Sequence, residues 1–157
     1  MSVCRHQLDR IMAVMEAAFD PQFGEAWNRR QVADALAMPS THALVIDEAG
    51  ELIGEGFSAR EAAGFVLTRH AADEEELLLV AVAPRFRRRG LGERLIGHFF
   101  AEARARAVRK VFLEMRRGNP AVALYTKIGF TPIGERRNYY RLANGERIDA
   151  ITFAVTI

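Results

Sequence analysis

The stretch from Leu77 to Gly92 constrains the fold more than any other part of the chain. It opens with an apolar run, Leu77-Leu78-Leu79-Val80-Ala81-Val82-Ala83, long enough for a buried strand and closed by Pro84. A basic loop, Arg85-Phe86-Arg87-Arg88-Arg89-Gly90, then runs straight into a helical pattern. Apolar residues recur there at Leu91, Leu95, Ile96, Phe99, Phe100 and Ala103, the spacing of one helix face. The first N–H groups of a helix lack partners and lie at its positive dipole end, so such a start suits a phosphate. Gly90 and Gly92 let a ligand approach that backbone closely, and the loop arginines add charge-assisted hydrogen bonds. The stretch reads as a strand, a pyrophosphate cradle and a helix.

Two other phosphate motifs are excluded directly. A Walker loop needs a Gly-Lys pair, and the chain has none. The dinucleotide fingerprint G-x-G-x-x-G needs a third glycine where Leu95 stands. What remains is R-x-x-G-x-G from Arg87 to Gly92, preceded by V-A-V-A-P. Set between a strand and a helix, that motif resembles the signature loop of the GNAT superfamily of N-acetyltransferases, which holds the pyrophosphate of acetyl-CoA.

At 157 residues, half of them apolar, the chain is expected to form one domain over residues 1–157 with a sizeable core. No apolar run approaches the roughly 20 residues of a membrane span. The first residues, Met1 to His6, lack the apolar stretch of a signal peptide, and Cys4 is the only cysteine. A cytoplasmic location without membrane contact is expected. Residues 1–84 hold six Lys/Arg against fourteen Asp/Glu, whereas residues 85–157 hold sixteen against six. The second half therefore suits an anionic ligand. The basic positions are interrupted by helix-face apolar residues rather than interleaved with aromatics, so no direct nucleic-acid role is expected.

In chain order, helices are expected over Gln7–Phe19 and near Asn28–Ala37, with a loop from Pro21 to Trp27 between them. His42–Asp47 reads as a strand, Leu52-Ile53-Gly54 as the start of another, and Gly64–His70 as a third. Ala72–Glu76 reads as an acidic turn before the central strand, and Val111–Arg116 as the strand after the central helix. Asn119-Pro120 is a helix-start signal, Asn as N-cap and Pro in the first helical position, with Gly129 as C-cap. Phe130–Leu142 and Arg147–Ile157 form a hairpin pattern around Asn144-Gly145. The class is α/β (α+β), a mixed, mainly antiparallel twisted sheet flanked by helices.

Further residues strengthen the resemblance. Leu113-Glu114-Met115-Arg116, then Asn119, then Ala123-Leu124-Tyr125 through Gly129-Phe130 look like the family's L-E-V-R…N…A-L-Y…G-F segment. The interval from Asn119 to Tyr125 is one residue shorter than usual, and the chain carries extra residues near Gly54–Ala63. Arg136-Arg137-Asn138-Tyr139-Tyr140 with Asp149-Ala150 is similar to RimI-type ribosomal-protein-alanine N-acetyltransferases and related N-terminal acetyltransferases. The resemblance implies acetyl-CoA as cosubstrate, with main-chain groups of Val80, Ala81 and Val82 along its pantetheine arm. It implies a pyrophosphate cradle from Arg87, Arg88, Arg89, Gly90, Leu91, Gly92 and Glu93, and a coenzyme contact at Asn119. It implies Glu114 as general base and Tyr125 as general acid. Phe23 and Trp27 on one wall, and Tyr139 and Tyr140 on the other, would border the groove for the acceptor. That acceptor would be a protein N-terminus, the alanine of small ribosomal subunit protein 18.

The chemistry is consistent with those residue types. Acetyl transfer to an amine needs a neutral amine, and an α-amine of pKa near ~8 loses its proton far more readily than a lysine near ~10.4. A carboxylate can take that proton and a phenol can serve the leaving thiolate, so neither an enzyme nucleophile nor a metal is required. His6, His42, His70 and His98 show no ligand spacing, and Ser58 misses the G-x-S-x-G elbow. Plainer readings exist: Glu114 as an exposed strand position, Tyr125 as core packing, Tyr139 and Tyr140 as ordinary strand aromatics. At the level of function the alternatives are a lysine, polyamine or small-molecule acetyltransferase, or a non-catalytic acyl-CoA-binding module.

Overall fold

Two opposed apolar faces on one sheet set the architecture. The computed structural model describes residues 2–21, 24–54 and 59–157. Among them the order is α1 (Ser2–Ala18), α2 (Arg29–Leu36), β1 (Thr41–Ile46), β2 (Gly64–Ala71), β3 (Glu74–Val82), α3 (Leu91–Ala105), β4 (Lys110–Arg116), α4 (Val122–Ile128), β5 (Thr131–Arg141) and β6 (Arg147–Thr156). The strands lie in the order β1-β2-β3-β4-β6-β5, antiparallel except between β3 and β4. Leu95, Ile96 and Phe99 of α3 and Tyr125 of α4 pack with Val111, Leu113 and Phe153 on one face. Ile11 and Met15 of α1 and Val32 of α2 cover Val45, Phe65 and Leu67 on the other. This is the expected class. No helix among the described residues is long and apolar enough to cross a membrane.

An irregularity in β3 shapes the centre of the sheet. Leu67 pairs with Leu79 and Thr68 with Leu77, so Leu78 is an extra residue. The bulge reverses the alternation of side chains. Leu77 belongs to the α3-side core, Leu78, Leu79 and Ala81 to the α1-side core, and Val80 and Val82 to the α3 side again. Beyond it the two parallel strands part. β3 pairs with β4 only through Glu74–Glu76 against Lys110–Phe112. β3 nevertheless stays with β2 as far as Val82↔Gly64, and β4 with β6 as far as Arg116↔Ala150. The result is a wedge-shaped gap in mid-sheet.

Four local expectations are corrected. Helix α1 begins at Ser2 rather than Gln7, because apolar periodicity marks only the buried face and nothing in the preceding residues breaks a helix. Leu52–Gly54 starts no strand. Asp47 Oδ1 accepts the N–H groups of Ala49 and Glu51, and the returning chain makes a single bridge from Leu52 to Ile46. Part of the Gly54–Ala63 segment lies outside the described residues. The acidic turn is only Ala72-Asp73: β3 starts at Glu74, and Glu75 is fully buried, held by Thr68 and by Arg106 Nη2 at 2.7 and 2.8 Å. Finally, α4 begins at Val122, not Pro120. Its N-cap is Ala121 rather than Asn119, whose Oδ1 accepts the Ala121 N–H at 2.9 Å in a turn ahead of the helix.

Candidate active site

The gap between β3 and β4 collects most of the residues singled out in the sequence. Main-chain N–H and C=O groups of one strand residue point to the same side, and neighbouring residues alternate. Ala83 N–H bonds the Ala63 carbonyl at 2.8 Å, on the β2 side. The main-chain groups of Val82 and Val80 therefore face the gap, whereas those of Ala81 face β2. Of the three residues expected along the coenzyme arm, Val80 and Val82 are the ones oriented for it.

At the wide end stands the start of α3. Gly90 is its N-cap with a φ of 74°, and Arg88 also takes a left-handed φ of 64°, so the loop turns sharply into the helix. The N–H groups of Leu91, Gly92 and Glu93 have no main-chain acceptor among the described residues, as a helix start leaves them. Leu91 itself is buried. A Cβ on Gly92 would stand 3.2 Å from Leu124 Cδ2, so the glycine allows α3 and α4 to meet, and Glu93 reaches Lys127 of α4 at 3.2 Å. Arg88 and Arg89 are exposed. Arg87 is engaged differently: it donates to the carbonyls of Val82 and Ala18, each at 3.1 Å, and so braces the loop against β3 and α1. Free amides, missing Cβ atoms and exposed guanidiniums fit an extended diphosphate with an arm lying along β3.

Opposite that cradle, β4 contributes its charged face. Glu114 and Arg116 are two residues apart and share a side, while Leu113 and Met115 between and beside them enter the α3-side core. Cross-strand partners share that side too, which adds Arg136 (opposite Ala150, like Arg116) and Tyr140 (opposite Ile148). Arg136 Nε lies 3.4 Å from Glu114 Oε2. Arg116 Nε donates to Glu25 Oε1 at 3.3 Å, bringing in a carboxylate from the loop between α1 and α2. The Tyr140 phenol is pushed up to about 12, by burial first and then by the negative charges of Glu114 and Glu25.

Tyr125 approaches from the α3 side. Its ring is 3% exposed and packs edge-on against Phe130. Its hydroxyl has no hydrogen-bond partner among the described residues, yet no sealed polar side-chain atom there goes unpaired, so the hydroxyl meets solvent. Burial raises its pKa, and Glu25 adds to the rise, so the phenol lies within the field of the loop carboxylate. Asn119, its oxygen occupied by the Ala121 N–H, is partly buried in the β4–α4 connection. Trp27 packs against the α1-side core. Phe23 lies outside the described residues. Tyr139 is 49% exposed beside Tyr140.

Glu25, Arg116 and Arg136 were missed as site residues. The i, i+2 spacing of Glu114 and Arg116 would have indicated Arg116, and Arg136 stands inside a motif already noted. Glu25 stands between Phe23 and Trp27, both expected on the groove wall, but its residue type alone does not distinguish it from a solvated loop carboxylate.

A parted parallel strand pair, with helix-start amides at its mouth and carboxylates and phenols around it, has the layout of an acyl-transfer fold. Residues 11–130 match the model of the Acetyltransferase (GNAT) family, and the chain belongs to that family. Membership implies acetyl-CoA as the acyl donor. The chain is 44% identical over 96 residues to the ribosomal protein bS18-alanine N-acetyltransferase of Salmonella typhimurium, a match covering 60% of this chain and 64% of that protein. It thus spans just under two-thirds of that relative's length. A putative ribosomal protein bS18-alanine N-acetyltransferase of Bacillus subtilis is 34% identical over 125 residues, covering 79% of this chain and 74% of the relative. The crystal structure of the ribosomal-protein-S18-alanine N-acetyltransferase from Escherichia coli superposes with a TM-score of 0.77 at 30% identity, covering 96% of this chain and 87% of that one.

Proposed function

We propose that this chain, acting as one domain in the cytoplasm, transfers acetyl from acetyl-CoA to a protein N-terminal α-amine, the terminal alanine of ribosomal protein bS18, without a metal. The observation that carries the reading is the meeting of Glu114, Glu25, Tyr125 and Tyr140 around the gap between β3 and β4. The similarity to bS18-alanine acetyltransferases supports the choice of acceptor.

Acetyl-CoA supplies an activated thioester, and the chain's own groups do the rest. The amides at the start of α3 and the exposed Arg88 and Arg89 hold phosphate charge. The N–H groups of Val80 and Val82 serve as donors for an arm laid along β3, and Val82 N–H polarises the acyl carbonyl. Glu114 takes the proton of the incoming α-ammonium, whose approach displaces the Arg136 guanidinium from that carboxylate. Burial keeps Tyr125 a phenol at working pH, so it meets the departing sulfur as a hydrogen-bond donor. Full transfer to a thiolate of pKa near ~8.5 is uphill from so weak an acid, which makes hydrogen bonding the larger part of its role.

The test is an acetylation assay with alanine-starting peptides bearing a free or a blocked α-amine and a single internal lysine. Activity confined to the free terminus is expected. Equal activity on the blocked peptide would remove the N-terminal reading, and acetyl-CoA binding without turnover on either would reduce the chain to a binding module.

A further inference from the structure

Adjacent residues of a regular strand point to opposite faces of a sheet. Tyr139 and Tyr140 do not: their rings meet edge to face with centroids 5.3 Å apart. The cause is a wide irregularity in β5. Arg136 pairs with Ala150 and Tyr140 with Ile148, so Arg137, Asn138 and Tyr139 all lie opposite the single residue Asp149. Asn138 takes a left-handed φ of 52°, a conformation that asparagine tolerates better than most residues. A bulge leaves ladder groups without strand partners, and Asp149 provides one: its Oδ1 accepts the Asn138 N–H at 2.9 Å. Its Oδ2 lies 3.3 Å from Arg117 Nε, and Arg117 reaches Glu135 Oε1 at 2.7 Å, so the distorted strand is tied down before and within the bulge. Arg136, at the base of the bulge, sits 5.1 Å from the Tyr139 ring and 3.4 Å from Glu114, which joins this segment to the candidate active site.

We propose that Asp149 is a positioning residue for the acceptor. Its carboxylate fixes the β5 bulge that turns Tyr139 to the same side as Tyr140, and so sets the aromatic wall on which the acceptor's first residues lie. The inference rests on the N-terminal acetyltransferase reading. The charge of Asp149 is engaged by Arg117 and its oxygen by Asn138, so it acts through the wall and not on the reacting atoms.

In Asp149→Ala the Asn138 N–H loses its acceptor and the strand relaxes toward regular alternation. The KM for an alanine-starting peptide rises roughly tenfold or more, the equivalent of about 1.4 kcal/mol, while the KM for acetyl-CoA and the kcat at saturating peptide move far less. Asp149→Asn keeps an Oδ1 acceptor and restores most of the peptide KM. A second readout is independent of turnover: the nuclear Overhauser contact between the Tyr139 and Tyr140 rings persists in the wild type and in Asp149→Asn and is lost in Asp149→Ala. If the wild type acetylates no peptide, the functional reading fails while the ring contact still decides the role of Asp149. An unchanged peptide KM in an active Asp149→Ala, a surviving ring contact, or an equal loss for both substrates with a collapse in thermal stability overturns the proposal.

Discussion

Replacing Arg106 by Met tests how the root of the active-site gap is held. Glu75 sits in the last stretch where β3 still pairs with β4, opposite Val111, and its carboxylate is fully buried. Arg106, at the end of α3, donates to both of its oxygens at 2.8 and 2.7 Å, and its own side chain is only 22% exposed. Thr68 Oγ1 completes the set. Removing the guanidinium leaves a buried charge with one neutral donor. Breaking such a pair costs about 3–5 kcal/mol, and the partial exposure of Arg106 argues for the lower end. At 2–4 °C per kcal/mol for a chain of this size, Tm should fall by roughly 6–12 °C at pH 7.5. The double variant Glu75→Gln/Arg106→Met should recover most of it, because it leaves no unpaired charge. Urea denaturation and differential scanning calorimetry measure both variants against the wild type. A loss below about 1 kcal/mol in the single variant, or a double variant no more stable than the single one, would refute the buried-pair reasoning.

Glu114→Gln should lower kcat by about 10²–10³ with acetyl-CoA affinity unchanged, as removal of a general base does; stopped assays with calorimetric binding check it. Gly90→Glu should abolish acetyl-CoA binding in calorimetry, because it places a carboxylate and a strained left-handed φ of 74° at the phosphate cradle; undiminished affinity would remove the cradle from α3. His42 and His70 share a ring-nitrogen contact of 2.8 Å, and burial, then Arg106, holds His42 below its ordinary value against the opposing pull of Glu75. The unfolded chain therefore takes up that proton first, so stability is full above about 6.5 and declines as pH falls through the folded value. His42→Gln should flatten that decline in urea midpoints measured between pH 7.5 and 5.

Signals carried by neighbours in the chain were enough for much of this protein. The run from Leu77 to Gly92 announces a strand, a sharp basic turn and an amphipathic helix, and the structure has all three in place. The capping box of Asn28 with Gln31 and the C-cap at Gly129 are likewise written in a few consecutive residues. Glu114 and Tyr125 could be singled out because they stand in motifs on continuous elements.

What depended on distant parts of the chain coming together was not visible. The extra residue Leu78 reverses the strand alternation and the three residues opposite Asp149 interrupt it locally, and a period-two pattern cannot show where it slips. The parting of β3 from β4 follows from their different outer partners, β2 and β6. Glu25 meets Arg116 across 91 positions, Arg106 meets Glu75 across 31, and His42 meets His70 across 28. A charged or polar side chain read alone looks solvated, and whether it is buried depends on a partner that only the folded chain brings within reach.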